Sequence, residues 1–521
     1  MLQRLSGTPA RPRARRARVS GFGAFLQTIP AMLWFFISLG ILWACFTPNV
    51  VLTVCSLLLI PLLFGLLWFE GEPPVLLFAC GMQWLQATAA IFYCDFLGTS
   101  LADDLTVGGA KVEEATWLSM AGVLVLAVGM RLALWKRGEK IVQEARQETQ
   151  RLNIERIFIL YLFGFVFFSV LNRFAFAMPG LAQPLLALGA LRWMMAYLLV
   201  YSVISQRRCY GRLIFAVGLE VVSGFIGFFS GFKSIFYIVL IALPATGMAI
   251  KGWRLFPTMI LALLVLGFSI FWTAIKPDYR DFLNQGTGQQ VVRVPVEQRL
   301  AKLGKLAVSM TPATLEQGFE DLILRVTYVH YFDLTIQNVP ANVPYERGQL
   351  WWGCLKQILM PRLFFPHKPA LDDSARAAYY TGTAVTSAEE GASIGIGYFG
   401  ESYIDFGPVG MFAPILLLGI FFGLIYRLFI SRAGSKIIGF AIAVSILLFN
   451  ACEIETSNVK IVGGAVCVCL VMAMFLKFGE RWLWNVLTRQ SNGPVRRRKS
   501  KTENTKPNAE NPKPEILKAE G

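Results

Sequence analysis

The chain alternates between long apolar stretches and short polar connectors over most of its length. Runs of about 18 or more apolar residues are typical of membrane-spanning helices, because a helix satisfies its own backbone hydrogen bonds in lipid. We predict about twelve spans, with ten to fourteen compatible with the pattern: 29–46, 50–69, 74–94, 115–135, 157–177, 184–204, 213–232, 234–250, 256–275, 408–426, 437–452 and 460–478. The fold class is therefore all-α, a polytopic membrane helical bundle.

This alternation stops between residues 276 and 407. Apolar side chains recur there at helical spacing, first around Leu300 to Met310 and again, after Thr311-Pro312, from Leu315 to His330. We therefore predict one large loop that contains amphipathic helices. It separates a membrane domain at 25–275, with about nine spans, from another at 408–480, with about three.

The positions of the basic residues orient this bundle. The net charge is +16, and Lys and Arg concentrate before the first span and in every second connector (136–156, 207–212, 251–254 and 427–436) and in the tail. The intervening connectors are acidic or neutral, so the basic side is cytoplasmic by the positive-inside rule. The basic tails 1–24 and 481–521 are then cytoplasmic, and the large loop faces outward. The charge excess is an orientation signal that favours membrane lipids, and not nucleic acid, as partners.

The cysteine and histidine content and the absence of a phosphate-binding motif bear on metal sites and cofactors. The nine cysteines are scattered and fall mostly inside spans, and the chain has only two histidines, His330 and His367. We therefore expect no metal site. No phosphate-binding loop of the Gly-x-x-x-x-Gly-Lys-Ser/Thr type is present, and we expect no cofactor.

Ionisable residues inside spans are costly in lipid and are candidates for function. Arg192 and Glu220 are predicted to form a pair, for which structural and functional roles are both open. Arg173 lies near the outer end of the fifth span, and Lys233 lies at an outer turn flanked by Ser and Gly. Either cation is suited to meet a phosphate, although each is equally suited to anchor a helix at the membrane surface.

A second group of candidates lies in the large loop. Arg280, Arg325, Arg362 and Lys368 are cations of the kind that bind phosphate, two of them in a proline-rich segment. The glycines between 391 and 400 predict a flexible loop, and three polar residues follow it: Glu401, Tyr403 and Asp405. On a helix the two carboxylates share a face, where one of them is placed to deprotonate a sugar hydroxyl. Ordinary loop charges are the alternative interpretation.

Three motifs in this order resemble a known family. Ser230-Gly-Phe-Lys-Ser234 opens a span, and a long outer loop ends in Pro361-Arg and Pro366-His-Lys-Pro369. Gly400-Glu-x-Tyr-x-x-Phe-Gly-x-x-Gly410 then leads into a span. The arrangement resembles the Wzy-type oligosaccharide repeat-unit polymerases, which build O-antigen and exopolysaccharide. Lys233 departs from the pattern, because Arg is expected there, and this puts a bidentate phosphate contact in doubt.

The resemblance implies a GT-C-like, metal-independent glycosyltransferase in the bacterial inner membrane. Its donor is a glycan on undecaprenyl pyrophosphate, its acceptor is a lipid-linked repeat unit, and a chain-length regulator and a flippase of the same pathway are expected partners. Arg362 and Lys368 correspond to the family's basic positions and Glu401 to its acidic one. The expected catalytic residues are Glu401, Arg362 and Asp405, with a larger substrate-binding set: Lys368, Arg280, Lys233, Arg173, Arg325 and Tyr403.

Other functions remain open. An O-antigen ligase shares the donor and the scaffold but transfers the glycan to a lipid A core. A flippase of lipid-linked oligosaccharide also uses many spans, but it needs ionisable residues on many helices, and here they concentrate in one loop. A non-enzymatic assembly scaffold is the third alternative.

Overall fold

The computed structural model describes residues 31–104, 107–134, 139–178, 180–228, 231–247, 256–287, 292–361, 365, 367–368, 371–383 and 394–488. Within this part the chain is helical and contains no strand. The helices are α1 (Ala31–Ala44), α2 (Val50–Leu67), α3 (Val75–Leu97), α4 (Val112–Ala133), α5 (Glu139–Gln150), α6 (Ile154–Ala177), α7 (Ala182–Leu188), α8 (Ala190–Gln206), α9 (Tyr210–Ile226), α10 (Lys233–Ala245), α11 (Phe256–Asn284), α12 (Val296–Val308), α13 (Pro312–Val326), α14 (Val329–Asn338), α15 (Gln349–Leu359), α16 (Asp373–Thr381), α17 (Gly397–Gly410), α18 (Phe412–Arg432), α19 (Lys436–Asn450), α20 (Asn458–Phe478) and α21 (Glu480–Thr488).

Each predicted span overlaps one of these helices, or the pair α7–α8, while positions 29–30, 135, 229–230 and 248–250 of the predicted spans lie outside the described residues. Eight candidate spans in the described residues are long and apolar enough to cross a membrane, and α1, α10 and α19 are shorter apolar helices. The all-helical class is confirmed, and the architecture is that of a helical membrane protein. Many large apolar side chains on these helices are exposed, as expected of surfaces that face lipid.

The large loop is helical too. The amphipathic stretches predicted around residues 300 and 320 are α12 and α13, separated where Thr311 caps α13 by accepting a hydrogen bond from the Thr314 amide at 3.2 Å. Two boundaries differ from the prediction. The helix of the ninth span does not end at 275 but continues through Pro277 to Asn284. The glycine-rich segment is helical from Gly397 onward, while 391–393 lie outside the described residues.

Helices α4 and α18 pack closely against each other. A Cβ atom on Gly129 of α4 would lie 2.4 Å from the Leu416 carbonyl of α18, and one on Gly419 would lie 2.3 Å from the Leu126 carbonyl. Gly419 and Gly423 are spaced as Gly-x-x-x-Gly, the pattern that lets helix backbones approach closely in a membrane. This packing fixes the start of α18. Because α17 leads directly into α18, it also fixes the position of α17, the helix that carries Glu401.

The predicted Arg192–Glu220 pair is confirmed. The Arg192 Nε atom donates to Glu220 Oε1 at 3.1 Å, a second guanidinium nitrogen contacts Oε2, and Tyr161 Oη donates to Oε1 at 2.6 Å. Glu220 is 2% exposed, and the guanidinium lies over the rings of Phe165 and Trp193. The pair connects α6, α8 and α9 and neutralises the charge inside the bundle.

We predict that Arg192→Ala destabilises the detergent-solubilised protein by about 3 kcal/mol or more, because it leaves the Glu220 carboxylate buried without its cation. The loss should appear as a lower Tm by intrinsic fluorescence. The double variant Arg192→Met/Glu220→Leu should recover most of it, since it leaves no unpaired charge. A double variant no more stable than Arg192→Ala would contradict this account.

Candidate functional site

The first candidate region is a cavity of about 610 Å³ where α11 extends beyond its apolar stretch. Four cations and one carboxylate contribute to its lining, together with apolar and hydroxyl side chains of α11 and α13: Lys233, Lys276, Arg280, Arg325, Asp321, Trp272, Thr273, Pro277 and Leu322. We call it the cationic cavity. Three of its cations, Lys233, Arg280 and Arg325, are predicted substrate-binding residues, and the structure brings them together from three helices.

Helix spacing and one glycine build this cavity. Lys276 and Arg280 lie one turn apart on α11 and so share a face. Helix α13 lies against α11 at Gly318, where a Cβ atom would be 2.6 Å from the Ala274 side chain and 3.0 Å from the Ile270 carbonyl. Asp321 and Arg325 lie on the next two turns of α13, beside the face of α11 that holds Lys276 and Arg280.

The cations differ in their existing contacts. Arg280 donates from Nε to the Phe228 carbonyl at 3.2 Å, and its guanidinium lies 4.5 Å from the centre of the Phe228 ring. Arg325 pairs with Glu455 at 3.8 Å, and both side chains are partly exposed. Within the described part of the chain, Lys233 and Lys276 form no ion pair. The cavity therefore holds an excess of positive charge that an anionic ligand would neutralise.

The second candidate region surrounds Glu401 on α17. Arg376 Nη1 donates to Glu401 Oε1 at 2.7 Å, and the backbone amide of Asn458 donates to Oε2 at 2.6 Å. Asp373, one turn before Arg376 on α16, pairs with Lys460 at 2.6 Å and accepts from the Ser457 hydroxyl at 3.3 Å. We call these groups, Asp373, Arg376, Glu401 and 457–460, the carboxylate node. It assembles around the start of α20.

The burial of Glu401 changes the pKa of its carboxyl group. The side chain is 1% exposed, and this burial raises its pKa to about 7, while Arg376 and the Asn458 amide act in the opposite direction. A carboxyl that titrates near neutrality is suited to general acid–base chemistry. Both of its oxygens accept hydrogen bonds in this arrangement, so a reacting hydroxyl must displace one of them.

Asp405 and Tyr403 occupy different surroundings. Asp405 is 1% exposed, and its two oxygens accept from the amides of Leu350 and Trp351 at 3.0 and 2.8 Å. It thereby caps α15, whose own N-cap, Gly348, has no side chain to do so. Tyr403 is 3% exposed and donates to the Val339 carbonyl at 3.3 Å. The catalytic role of Asp405 and the substrate-binding role of Tyr403 therefore stay predictions.

The remaining predicted residues lie apart from these two regions. Lys368 donates to the Met360 carbonyl at 2.9 Å and also to the Gln357 carbonyl, so it binds the C-terminal end of α15. Arg362 lies outside the described residues, as does the side chain of Arg173. Of the predicted residues that the structure describes, three cations thus lie at the cationic cavity, Glu401 in the carboxylate node, Asp405 and Lys368 at the ends of α15, and Tyr403 against Val339.

One short segment touches both regions. The segment 453–458 follows α19 and ends on the first residue of α20. Its Glu455 pairs with Arg325 of the cationic cavity, and the Asn458 amide donates to Glu401 of the carboxylate node. The segment is fixed on α3, because the Ile454 amide donates to Gln86 Oε1 at 2.7 Å. Its middle accepts from the Tyr398 amide, at the Ile454 and Thr456 carbonyls. The same short segment therefore contacts both regions.

A family model described as a domain of unknown function, DUF8712, matches residues 75–455, from α3 to the segment that follows α19. The chain belongs to the DUF8712 family. No curated protein and no solved structure matches it. The matched range contains all of the cationic cavity, whereas Asn458 and Lys460 of the carboxylate node lie beyond it.

Sequence reasoning left several of these DUF8712 site residues out of the candidate set. Lys276 lies with Arg280 where the sequence leaves the ninth span, and two cations there already suit a lipid phosphate, but the substrate-binding set names only Arg280. Arg376 follows Asp373 by three residues in a polar segment, which is a weaker signal. The partners Asn458 and Lys460 come from a distant part of the chain, and no local pattern indicates them.

For this DUF8712 protein we predict that Arg376→Ala lowers the stability by about 3 kcal/mol, because the fully buried Glu401 loses its cation. Adding Glu401→Gln should restore much of the loss, since it removes the uncompensated charge. Tm in detergent provides the measurement. Lys111→Ala, which breaks an exposed ion pair with Glu114 at 3.1 Å, is the control and should change stability by less than about 1 kcal/mol. An Arg376→Ala effect no larger than this control would contradict the assignment.

Proposed function

We propose that this chain polymerises lipid-linked oligosaccharide repeat units. It transfers a growing glycan from undecaprenyl pyrophosphate to the non-reducing end of a lipid-linked repeat unit, at the outer face of the bacterial inner membrane. The acceptor hydroxyl oxygen attacks the anomeric carbon of the donor glycan, the bond to the diphosphate breaks, and the hydroxyl proton passes to a base. The diphosphate leaves with the electron pair.

The cationic cavity carries this proposal. The departing diphosphate gains negative charge, and cations held where that charge develops are what the reaction needs most. Lys233, Lys276, Arg280 and Arg325 surround one space of about 610 Å³. Arginine suits two-point contact with phosphate oxygens, and lysine adds a compact charge.

The position of the cavity suits a lipid-linked ligand. Helix α11 carries exposed leucines such as Leu263, Leu264 and Leu266 below the cavity, and Trp272 on the same helix lines it. A polyprenyl chain is able to follow the apolar surface of α11 while its diphosphate enters among the cations. The apolar surface of the lipid and the charge of its headgroup thus meet matching surfaces of one helix.

Glu401 is the proposed base, with Asp405 as the second carboxylate of the predicted set. Its neutral-range pKa supports the role, and Arg376 and Asn458 would release it toward the acceptor. Arg362 is the third proposed catalytic residue, and Lys368, Arg173 and Tyr403 remain proposed contacts of the substrate. A chain-length regulator and a flippase of the same pathway are the proposed partners.

The proposed topology has twelve spans in a GT-C-like arrangement. Eight helices of full length, the shorter apolar α1, α10 and α19, and the 17-residue α9 supply them. Both termini are cytoplasmic in this arrangement, and the loop with α12–α16 is periplasmic. The basic connectors on one side and the acidic ones on the other support this orientation.

The proposal predicts that the purified protein, reconstituted in liposomes with lipid-linked repeat units, produces a ladder of longer glycans on a gel. Lys276→Ala and Arg280→Ala should each slow elongation by about a hundredfold, because each removes a cation from the leaving group. Lys302→Ala is the matched control, since it removes a loop cation that does not line the cavity.

Three outcomes would contradict this proposal. Normal elongation by the cavity variants would remove the cationic cavity from the mechanism. Transfer of glycan to a lipid A core, without elongation, would indicate a ligase. Movement of lipid-linked oligosaccharide between leaflets, again without elongation, would indicate a flippase.

We also predict that the elongation rate rises as the pH increases through about 7. Burial holds the Glu401 pKa near that value, and a base must be deprotonated to accept the acceptor's proton. Initial rates between about pH 5.5 and 8.5 provide the test, and Glu401→Gln should lose both the activity and this pH dependence. A wild-type profile that is flat across this range would exclude Glu401 as the base.

A further inference from the structure

The carboxylate node contains two buried oxygen atoms with no donor. Within the described part of the chain, Asp373 Oδ1 and Asn458 Oδ1 accept no hydrogen bond. Asp373 is 4% exposed and Asn458 is fully buried. A buried acceptor without a donor is unfavourable, so two such oxygens in one node point to a ligand that supplies the donors.

Both oxygens belong to side chains that are otherwise fixed. Asp373 is held through its other oxygen by Lys460 at 2.6 Å and Ser457 at 3.3 Å. The Asn458 amide nitrogen donates to the Leu350 carbonyl at 3.4 Å, and its backbone amide holds Glu401. The free oxygens therefore cannot turn away to find a partner elsewhere.

The node also has a route to its surface. The Lys460 side chain is 45% exposed, although its Nζ reaches the nearly buried Asp373. Arg376 is 22% exposed and reaches the buried Glu401 in the same way. These two long side chains therefore extend from the buried carboxylates of the node to the protein surface.

We infer that Asp373 and Asn458 form a subsite for the acceptor sugar, in which their free oxygens accept hydrogen bonds from its hydroxyl groups beside Glu401. This inference rests on the proposed function, and it assigns the acceptor to the carboxylate node and the donor diphosphate to the cationic cavity. The chemistry fits a polyol: the site offers acceptors for hydroxyl groups, and the adjacent Arg376 offers donors to ring and hydroxyl oxygens. Asp373 and Asn458 position the acceptor, while Glu401 is the base.

The test uses a probe that carries sugar but neither diphosphate nor lipid. This probe is the free oligosaccharide released from the lipid-linked repeat unit by mild acid, and its binding to the detergent-solubilised protein is followed by calorimetry. Asp373→Asn and Asn458→Ala should each weaken binding by about tenfold or more. In Asp373→Asn the amide oxygen faces the donors Lys460 and Ser457, so the NH2 group, a donor, replaces the free acceptor. Inorganic diphosphate, the second probe, should bind both variants as it binds the wild type and should bind Lys276→Ala more weakly.

Lys460→Met is the matched control, because it breaks the ion pair with Asp373 and leaves the free oxygen in place. It should retain oligosaccharide binding within about threefold. A loss as large as that of Asp373→Asn would overturn the inference, since the ion pair and not the free oxygen would then be responsible. The Tm of each variant identifies any that fail to fold, and Asn458→Ala provides an independent test if Asp373→Asn is one of them.

Two further results would overturn the subsite. The first is no oligosaccharide binding by the wild type, or equal binding by both variants. The second is stabilisation of the wild type by NaCl over choline chloride that Asp373→Asn abolishes, because the free oxygens would then hold a cation. If the wild type elongates no glycan but still binds the oligosaccharide through Asp373, the proposed function fails and the sugar subsite stands.

Discussion

The close packing of α4 against α18 is the constraint from which the candidate site is built. Gly129, Gly419 and Gly423 leave no room for side chains between the two backbones, so α18 can lie in only one position along α4. A kink at Gly407, with φ 72°, lies within α17 and separates the part that carries Glu401 from the residues that lead into α18. The position of Glu401 is therefore set by helix contacts deep in the bundle, several turns away from the residues that hold its carboxylate.

The two candidate regions differ in their electrostatic environment. The cationic cavity accumulates like charges that repel one another and are stable only at a surface open to water or to an anion. The carboxylate node buries its carboxylates almost completely, and each has a cation within hydrogen-bonding distance. An anionic leaving group needs the first environment, and a base with a raised pKa needs the second.

The segment 453–458 makes the two regions depend on each other. Glu455 competes with any anion for Arg325, and three residues later Asn458 holds Glu401. Burial raises the pKa of Glu455, while the nearby Arg325 lowers it. A ligand that neutralises Arg325 would therefore act on the segment that also orients the proposed base. Coupling of this kind requires only a short rigid connection, and here the bonds from Gln86 and Tyr398 supply it.

The sequence by itself determined the helical class, the apolar segments, the amphipathic helices of the loop and the Arg192–Glu220 pair. These follow from local periodicity and from the cost of a charge in an apolar helix, which are readable along the chain. It also indicated Lys233, Arg280 and Arg325 as cations for one ligand. Only the tertiary structure decided that these three share a cavity with Lys276, that Asp405 caps α15, and that Glu401 meets Arg376 and Asn458. Such partners are far apart in the chain and are brought together by helix packing, so local sequence patterns do not indicate these contacts.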